Sequence, residues 1–320
     1  MSRISAPERL ARDLDWNLLR VFIALAEAGS VTGAAERLSL KQPSVSAALK
    51  RLESRVGTRL IDRARGHFAL TAAGQRMLAE AEEVRAAILR MADRIAQVDG
   101  QVTGTVTIAL ASHVVSPVFD RVLARFHADH PAATVTLEVM ASRDALALVA
   151  ARRASLAICL VSTGPPGLHT VPLYRESFGL FCGRPHPLFG RCDLAEADLA
   201  GLATVTFQTD RIGDVLEGVA SLRRRLGIGD RVVGSSANLE EVRRMIELGI
   251  GIGPLPLHVV APDVAQGRLW QLPPYRNLPS VDVHLCHNPG LRMNPAEAAL
   301  LARLQDEIAR IPFAERAYGA

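Results

Sequence analysis

No segment of the 320-residue chain reaches the roughly 18 uninterrupted apolar residues of a membrane span. The most apolar stretch, Ala145 to Val161, is broken by Arg152 and Arg153, which excludes a transmembrane helix. The amino terminus carries Arg3, Glu8, Arg9, Arg12 and Asp13 in place of the apolar core of a secretory signal, so a cytoplasmic location is expected. Cysteine is scarce. Cys159, Cys182, Cys192 and Cys286 form neither a C-x-x-C pair nor a zinc-finger spacing, so no disulfide scaffold and no metal finger is indicated. Catalytic signatures are missing too: there is no G-x-S-x-G elbow and no P-loop, and Gly249, Gly251 and Gly253 run into Pro254 instead of completing G-x-G-x-x-G. His127 with His130, and His284 with His287, lack further ligands at metal spacing. Neither an enzyme, a cofactor nor a metal site is expected.

With 49% apolar and 22% charged residues the chain can bury substantial cores, and its length suits two or three modules. Its charge is uneven. Lys41, Lys50, Arg51, Arg55, Arg59, Arg63 and Arg65 face only Glu53 and Asp62 within 41–65, so this stretch alone exceeds the chain's net charge of +4. A phosphate backbone would select such a patch, although a solvated arginine-rich face has the same composition. Spacing separates the two readings.

Leu18, Val21, Phe22 and Leu25 recur at helical intervals from Asn17 to Ala28, and Gly29 stops that helix. Ser30 can cap a second helix, Val31 to Leu38, whose Ala34 and Ala35 permit a close crossing. A third runs from Gln42 to Val56, with Pro43 in its first turn and Gly57 ending it. The short turn Ser39-Leu40-Lys41 makes the pair a helix-turn-helix. On the third helix Gln42, Ser46 and Lys50 share one face, with Ser44 beside them, and can reach base edges in a major groove. Lys41 at a helix amino terminus opposes the macrodipole at roughly 0.3 to 1 kcal/mol, a placement that makes sense beside a phosphate. Arg59 to Thr71 reads as two short strands around a tip bearing Arg63 and Arg65, a wing for the minor groove. The candidate DNA-contacting set is Ser30, Lys41, Gln42, Pro43, Ser44, Ser46, Lys50, Arg63 and Arg65.

The run Leu14 to Gly74 resembles the winged helix-turn-helix of the LysR-type transcriptional regulators. The pieces NLLRVF, AAERL, QPSVS, KRLE, VGTRL and LTAAG stand in that family's order. Lys41 replaces the small hydroxyl residue usual at the third helix's cap, and Ile61 replaces the usual phenylalanine. Beyond Gly74, Met77, Ala81, Val84, Ile88, Met91, Ile95 and Val98 follow an unbroken alternation of four and three. That is a coiled-coil seam of roughly 32 Å at about 1.5 Å per residue. It predicts a homodimer, or a dimer of dimers forming a homotetramer, reading a near-palindromic promoter site; packing on the subunit's own body is the alternative.

From Gly104 onward strands and helices alternate: strands at Val106–Leu110, Val135–Val139 and Leu156–Val161, with helices at Pro117–Ala128 and Ser142–Arg152. A second set follows, with strands Phe178–Cys182, Thr204–Phe207 and Val232–Ser235 and helices Val215–Leu226 and Leu239–Leu248, before a strand Val281–Cys286 and a helix Pro295–Ile308. The succession, with P-H-P-L at 185–188 and G-I-G-I-G-P-L-P at 249–256, resembles the family's effector-binding domain, and Ser155 stands where aspartate is common. The resemblance implies an α+β multidomain chain: an N-terminal winged helix-turn-helix (14–72), a long linker helix (73–99) and a C-terminal two-lobed α/β periplasmic-binding-protein-like effector domain (104–310). Lobe I would take about 104–173 and 279–310, and lobe II about 174–278.

In such a fold the ligand lies between the lobes at strand carboxyl ends. Ser112, His113, Ser142, Thr163, Gln208, Thr209 and Asn238 are the candidate effector contacts, several of which could instead be helix caps, Ser142 foremost. Arg143 and Arg211 at the rim suggest a small carboxylate. Cys182 and Cys192, ten apart, are similar in placement to the family's peroxide sensors, so a thiol-based redox regulator is an alternative; a solute-binding protein or enzyme with an incidental helical module is a more distant one.

Overall fold

The computed structural model describes the backbone of residues 14–62, 68–96, 101–209 and 214–319, and it divides into two compact units between Ile95 and Ala96. In the first, α1 (Trp16–Ala28) is capped by Asp15, whose carboxylate accepts from Asn17 N at 2.9 Å, and ends at Gly29 with φ 62°. Ser30 Oγ accepts from Gly33 N at 3.1 Å to start α2 (Val31–Leu38), which closes on Ser39 at φ 54°. Then comes α3 (Gln42–Val56), ended by Gly57 at φ 79°. The apolar faces meet in a core of Phe22, Leu25, Ala34, Val45, Leu49 and Leu52, joined by Leu60.

Two short strands, β1 (Ile61–Asp62) and β2 (Ala69–Leu70), pair antiparallel, and Ile61 packs into this core. Glu53 fixes their entry: its Oε1 accepts from Leu60 N at 2.8 Å and Ile61 N at 3.3 Å. Thr71 Oγ1 accepts from Gly74 N at 3.0 Å at the start of α4 (Ala72–Ala96), 25 residues long.

The second unit opens with β3 (Gly104–Ala111), α5 (Pro117–Asp129), β4 (Ala133–Met140), α6 (Ser142–Ala150) and β5 (Leu156–Leu160), the three strands parallel with β3 central. Next is β6 (His169–Gly183), fifteen residues long. A smaller parallel pair follows, β7 (Thr204–Phe207) and β8 (Val232–Ser236), with α7 (Glu217–Arg225) between them and α8 (Leu239–Glu247) after. The chain returns through β9 (Gly253–Pro256), α9 (Leu257–Ala265), β10 (Leu269–Leu272), β11 (Ser280–His287), α10 (Pro295–Arg310) and β12 (Ala317–Tyr318).

The sheet is mixed rather than purely parallel, because β11 runs antiparallel between β5 and β6. Residues 169–177 of β6 pair with β11, and 178–183 pair with β9 and β10, so one strand crosses from one lobe to the other near Ser177. The short strand expected at Phe178–Cys182 is therefore the second half of a longer one. Its first half was hidden by Pro172, which interrupts the β-branched pattern. Ser155 closes the base of lobe I: its Oγ donates to Glu297 Oε1 at 2.6 Å and accepts from Thr107 N at 3.1 Å, tying β3 to the capping box of α10.

Candidate DNA-binding face and effector cleft

Burial of Val45, Ala48, Leu49 and Leu52 fixes which side of α3 is left to solvent. Lys41, Gln42, Pro43, Ser44 and Lys50 are exposed on it, and Ser46 is half-buried at its edge. Lys41 occupies the N-cap position and makes no side-chain cap; Pro43 has no N–H and Ser44 N donates to Lys41 O at 2.9 Å, so what meets at this end of the exposed face is the positive end of the α3 dipole and an exposed lysine. Two like-signed contributions side by side favour an anion there. Ser30 differs: its hydroxyl serves the Gly33 cap at the start of α2. Arg63 and Arg65 lie outside the described residues.

The linker seam is divided. Ala81 is buried, and Met77 packs with it against the helix-turn-helix core of its own chain. Ile88 is half-buried, whereas Val84 and Met91 are 39% and 57% exposed. The Ile95 side chain lies outside the described residues. The first turns of α4 thus follow the alternative reading, packing on the subunit's own body, because helix periodicity alone does not distinguish a neighbouring core from a second copy.

In the second unit Ser112, His113, Ser142 and Thr209 line one narrow space with Met140, Leu160, Phe178, Phe207 and Ala237. Its volume is about 30 Å³, room for a water or two. The lobes are closed over it. Ser112, at the end of β3, donates to Ala237 O at 3.0 Å and accepts from Leu239 N at 3.0 Å, so a lobe I hydroxyl is the first-turn partner of α8 in lobe II. Ser142 is not a cap: it is the first residue of α6, and its Oγ accepts from Leu160 N at 3.2 Å, fastening α6 to the end of β5. Asn238 is the N-cap of α8 and accepts from Glu240 N at 2.9 Å. Gln208 is exposed and lines a different cavity, of about 560 Å³, between α7 and β8, and Thr163 lies on an exposed loop apart from the cleft lining. Arg143 is 93% exposed at the start of α6; Arg211 lies outside the described residues.

Behind His113 stands Glu176 on β6, fully buried, with its carboxyl Oε1 3.6 Å from His113 Nε2. Burial, with His258 nearby, pushes His113 down to about 4, and burial pushes the Glu176 carboxyl well above the usual carboxylate range. Burial thus favours the neutral form of both groups. Cys182 is buried and its thiol is pushed up to about 12 by burial, while Cys192 is exposed. A thiol so held is not the thiolate that peroxide chemistry needs.

Residues 16–75 match the bacterial regulatory helix-turn-helix proteins of the lysR family, and residues 99–309 match the LysR substrate binding domain. The chain belongs to the LysR family. As a LysR-family protein it is a DNA-binding transcriptional regulator with an effector-binding domain, not an enzyme. It is 29% identical to the SDS degradation transcriptional activation protein of Pseudomonas sp. (strain ATCC 19151), covering 93% of this chain and 98% of that one. It is also 29% identical to the HTH-type transcriptional regulator CfxR of Cupriavidus necator, over 96% of both. Full-length CbnR complexed with its target DNA shares the fold at TM-score 0.64 and 23% identity, covering 93% of this chain and 99% of that chain. No helix among the described residues of this LysR-family chain is long and apolar enough to cross a membrane.

Sequence reasoning missed Glu53, Glu176 and His258. Glu53 stands inside the KRLE piece, where its charge suggests only a solvated helix face. Glu176 gave no signal either: it lies in the half of β6 that the sequence did not show, and Arg175 before it suggests an ordinary solvated pair.

Proposed function

We propose that this regulator binds a near-palindromic promoter site as a homodimer or dimer of dimers in the cytoplasm, reading it with Gln42, Ser44, Ser46 and Lys50 and holding phosphates with Lys41, Arg63 and Arg65. The observation that carries this is the exposed face of α3 with an uncapped, lysine-flanked amino terminus. Val84 and Met91 support self-association, since each leaves apolar surface in water on the seam. The test is binding to the DNA upstream of its own coding region against a scrambled duplex, over a series of salt concentrations. A Lys50→Ala variant should lose affinity and lower the salt slope by about one if it holds a phosphate, or relax selectivity by about 1 to 3 kcal/mol if it reads a guanine. Equal binding to both duplexes, or an unchanged Lys41, Lys50, Arg63 triple alanine variant, would overturn the assignment.

The cleft between the lobes is the effector site we propose, with a small carboxylate as ligand. Ala141 gives α6 no side-chain cap, and Ala141 and Ser142 line the cleft, so the amino terminus of α6 faces it with a dipole end suited to a carboxylate; Arg143, exposed and 3.8 Å from Asp144, would have to turn inward to join it. Because the space is about 30 Å³ in the closed arrangement, entry requires the lobes to part. Effector binding is thereby coupled to lobe geometry, and through it to DNA affinity, reciprocally.

A further inference from the structure

The Ser112–Val115 loop meets three elements at the lobe junction. Ser112 bonds α8, His113 faces Glu176 where β6 approaches its crossing, and the Val115 carbonyl takes the His258 Nε2 contact from α9 at 3.0 Å. Glu176 is 0% exposed, and neither of its carboxyl oxygens has a hydrogen-bond partner; His113 Nε2 has none either. The titratable groups facing the pair are Tyr174 on β6, Tyr318 on β12, His258 on α9 and, further out, the exposed Asp120 on α5. Tyr174, His258 and Tyr318 form a ring cluster with centroids 5.1 to 6.0 Å apart. None of these groups carries a permanent positive charge that could hold a carboxylate.

We propose that Glu176 and His113 together hold a single proton, resident on the Glu176 carboxyl, and that this proton is a second input to the regulator, sensed at the loop that joins the lobes. With one proton the pair is neutral. A second makes an imidazolium beside a carboxylic acid, and removal of the first leaves a bare carboxylate; either strands a net charge in a dry site. Both departures act on the same loop that carries the Ser112 latch. The regulatory part rests on the cleft reading above, whereas the proton pair stands without it.

The test compares the full chain with Glu176→Gln, an isosteric change that keeps the neutral form. Unfolded, His113 and Glu176 titrate near 6.5 and 4.5. Between those values the folded and unfolded pair each hold one proton, so this pair adds no slope to stability. Above pH 6.5 the folded pair keeps a proton that the unfolded chain has released, and the unfolding equilibrium constant should rise up to tenfold per pH unit in the wild type. That rise should be absent in Glu176→Gln. Matching pH profiles in the two proteins between 6.5 and 9 would overturn the proposal. Infrared spectroscopy at neutral pH supplies a second reading: a protonated-carboxyl band present in wild type and lost in Glu176→Gln is expected, and its absence from wild type would also overturn it. The regulatory half predicts that affinity for the upstream DNA changes between pH 6.5 and 8.5 more in wild type than in Glu176→Gln; an equal change sinks that half. A chain that prefers no duplex at any pH would defeat the DNA-binding reading and leave the stability and infrared results to decide the proton pair.

Discussion

Gly74 shows how much one missing side chain can specify. A Cβ there would fall onto the Leu60 carbonyl oxygen, so the start of α4 can approach the strand entry only as glycine. Gly74→Ala should cost about 1 to 3 kcal/mol by overpacking and lower the melting temperature of the DNA-binding unit. A melting temperature equal to wild type would show that the backbone yields at this point. The cysteines give a second residue-scale prediction. Exposed Cys192 should react with a thiol reagent in the folded chain, and Cys182, buried and high in pKa, only on unfolding. Peroxide should then leave DNA binding unaltered in wild type and in a Cys182, Cys192 double serine variant alike; a peroxide effect lost in that variant would restore the redox reading. At this scale sequence was a partial guide. Ser30 and Asn238 announce caps because hydroxyl and amide side chains before a helix bond its first N–H groups. Ser142 has the same signature and a different task, and only the tertiary approach of β5 reveals it.

Elements bounded by local chemistry were the most legible. The helices α1 to α3 end at Gly29, Ser39 and Gly57 in left-handed conformations, and two of the three are glycines that mark the stop directly. The returning segment was not legible. Pro254 and Pro256 lie in β9 and Pro262 lies inside α9, positions where proline normally argues against a strand or a helix. Both persist because β9 pairs along β6 and the α9 side chain Val260 is buried in the main core. The linker helix shows the limit of periodicity. Its seam continues across Ala81, Val84 and Met91, but the first packs inward and the other two do not. Val84→Asp combined with Met91→Asp should leave the unit folded and shift the chain toward monomer in sedimentation, whereas Ala81→Asp should unfold the unit by burying an unpaired charge. If the first variant sediments like wild type, α4 is not the self-association surface.

Across the whole molecule, the excess positive charge sits in 41–65 and the rest of the chain is close to balanced, so salt should act on DNA binding far more than on the effector domain. Control of the latter falls to short-range contacts between its lobes. Two hydrogen bonds through a single hydroxyl, Ser112 to Ala237 O and Leu239 N, join the end of β3 to the start of α8. Each such bond contributes about 1 kcal/mol, and removing the hydroxyl also leaves the Leu239 N–H without its partner. Ser112→Ala should therefore shift the lobes from the closed arrangement toward an open one several-fold, before any effector is added. Spin labels at cysteines replacing Leu137 on β4 and Val233 on β8, both exposed, report the separation in a Cys192→Ser background. The expected outcome is a distance distribution extended to longer values in the variant. If the distribution is the same with and without the Ser112 hydroxyl, the closed cleft is held instead by the apolar side chains that line it from both lobes, Met140 and Leu160 on one side and Phe178, Phe207 and Leu216 on the other, and an effector would have to separate the two sets to enter.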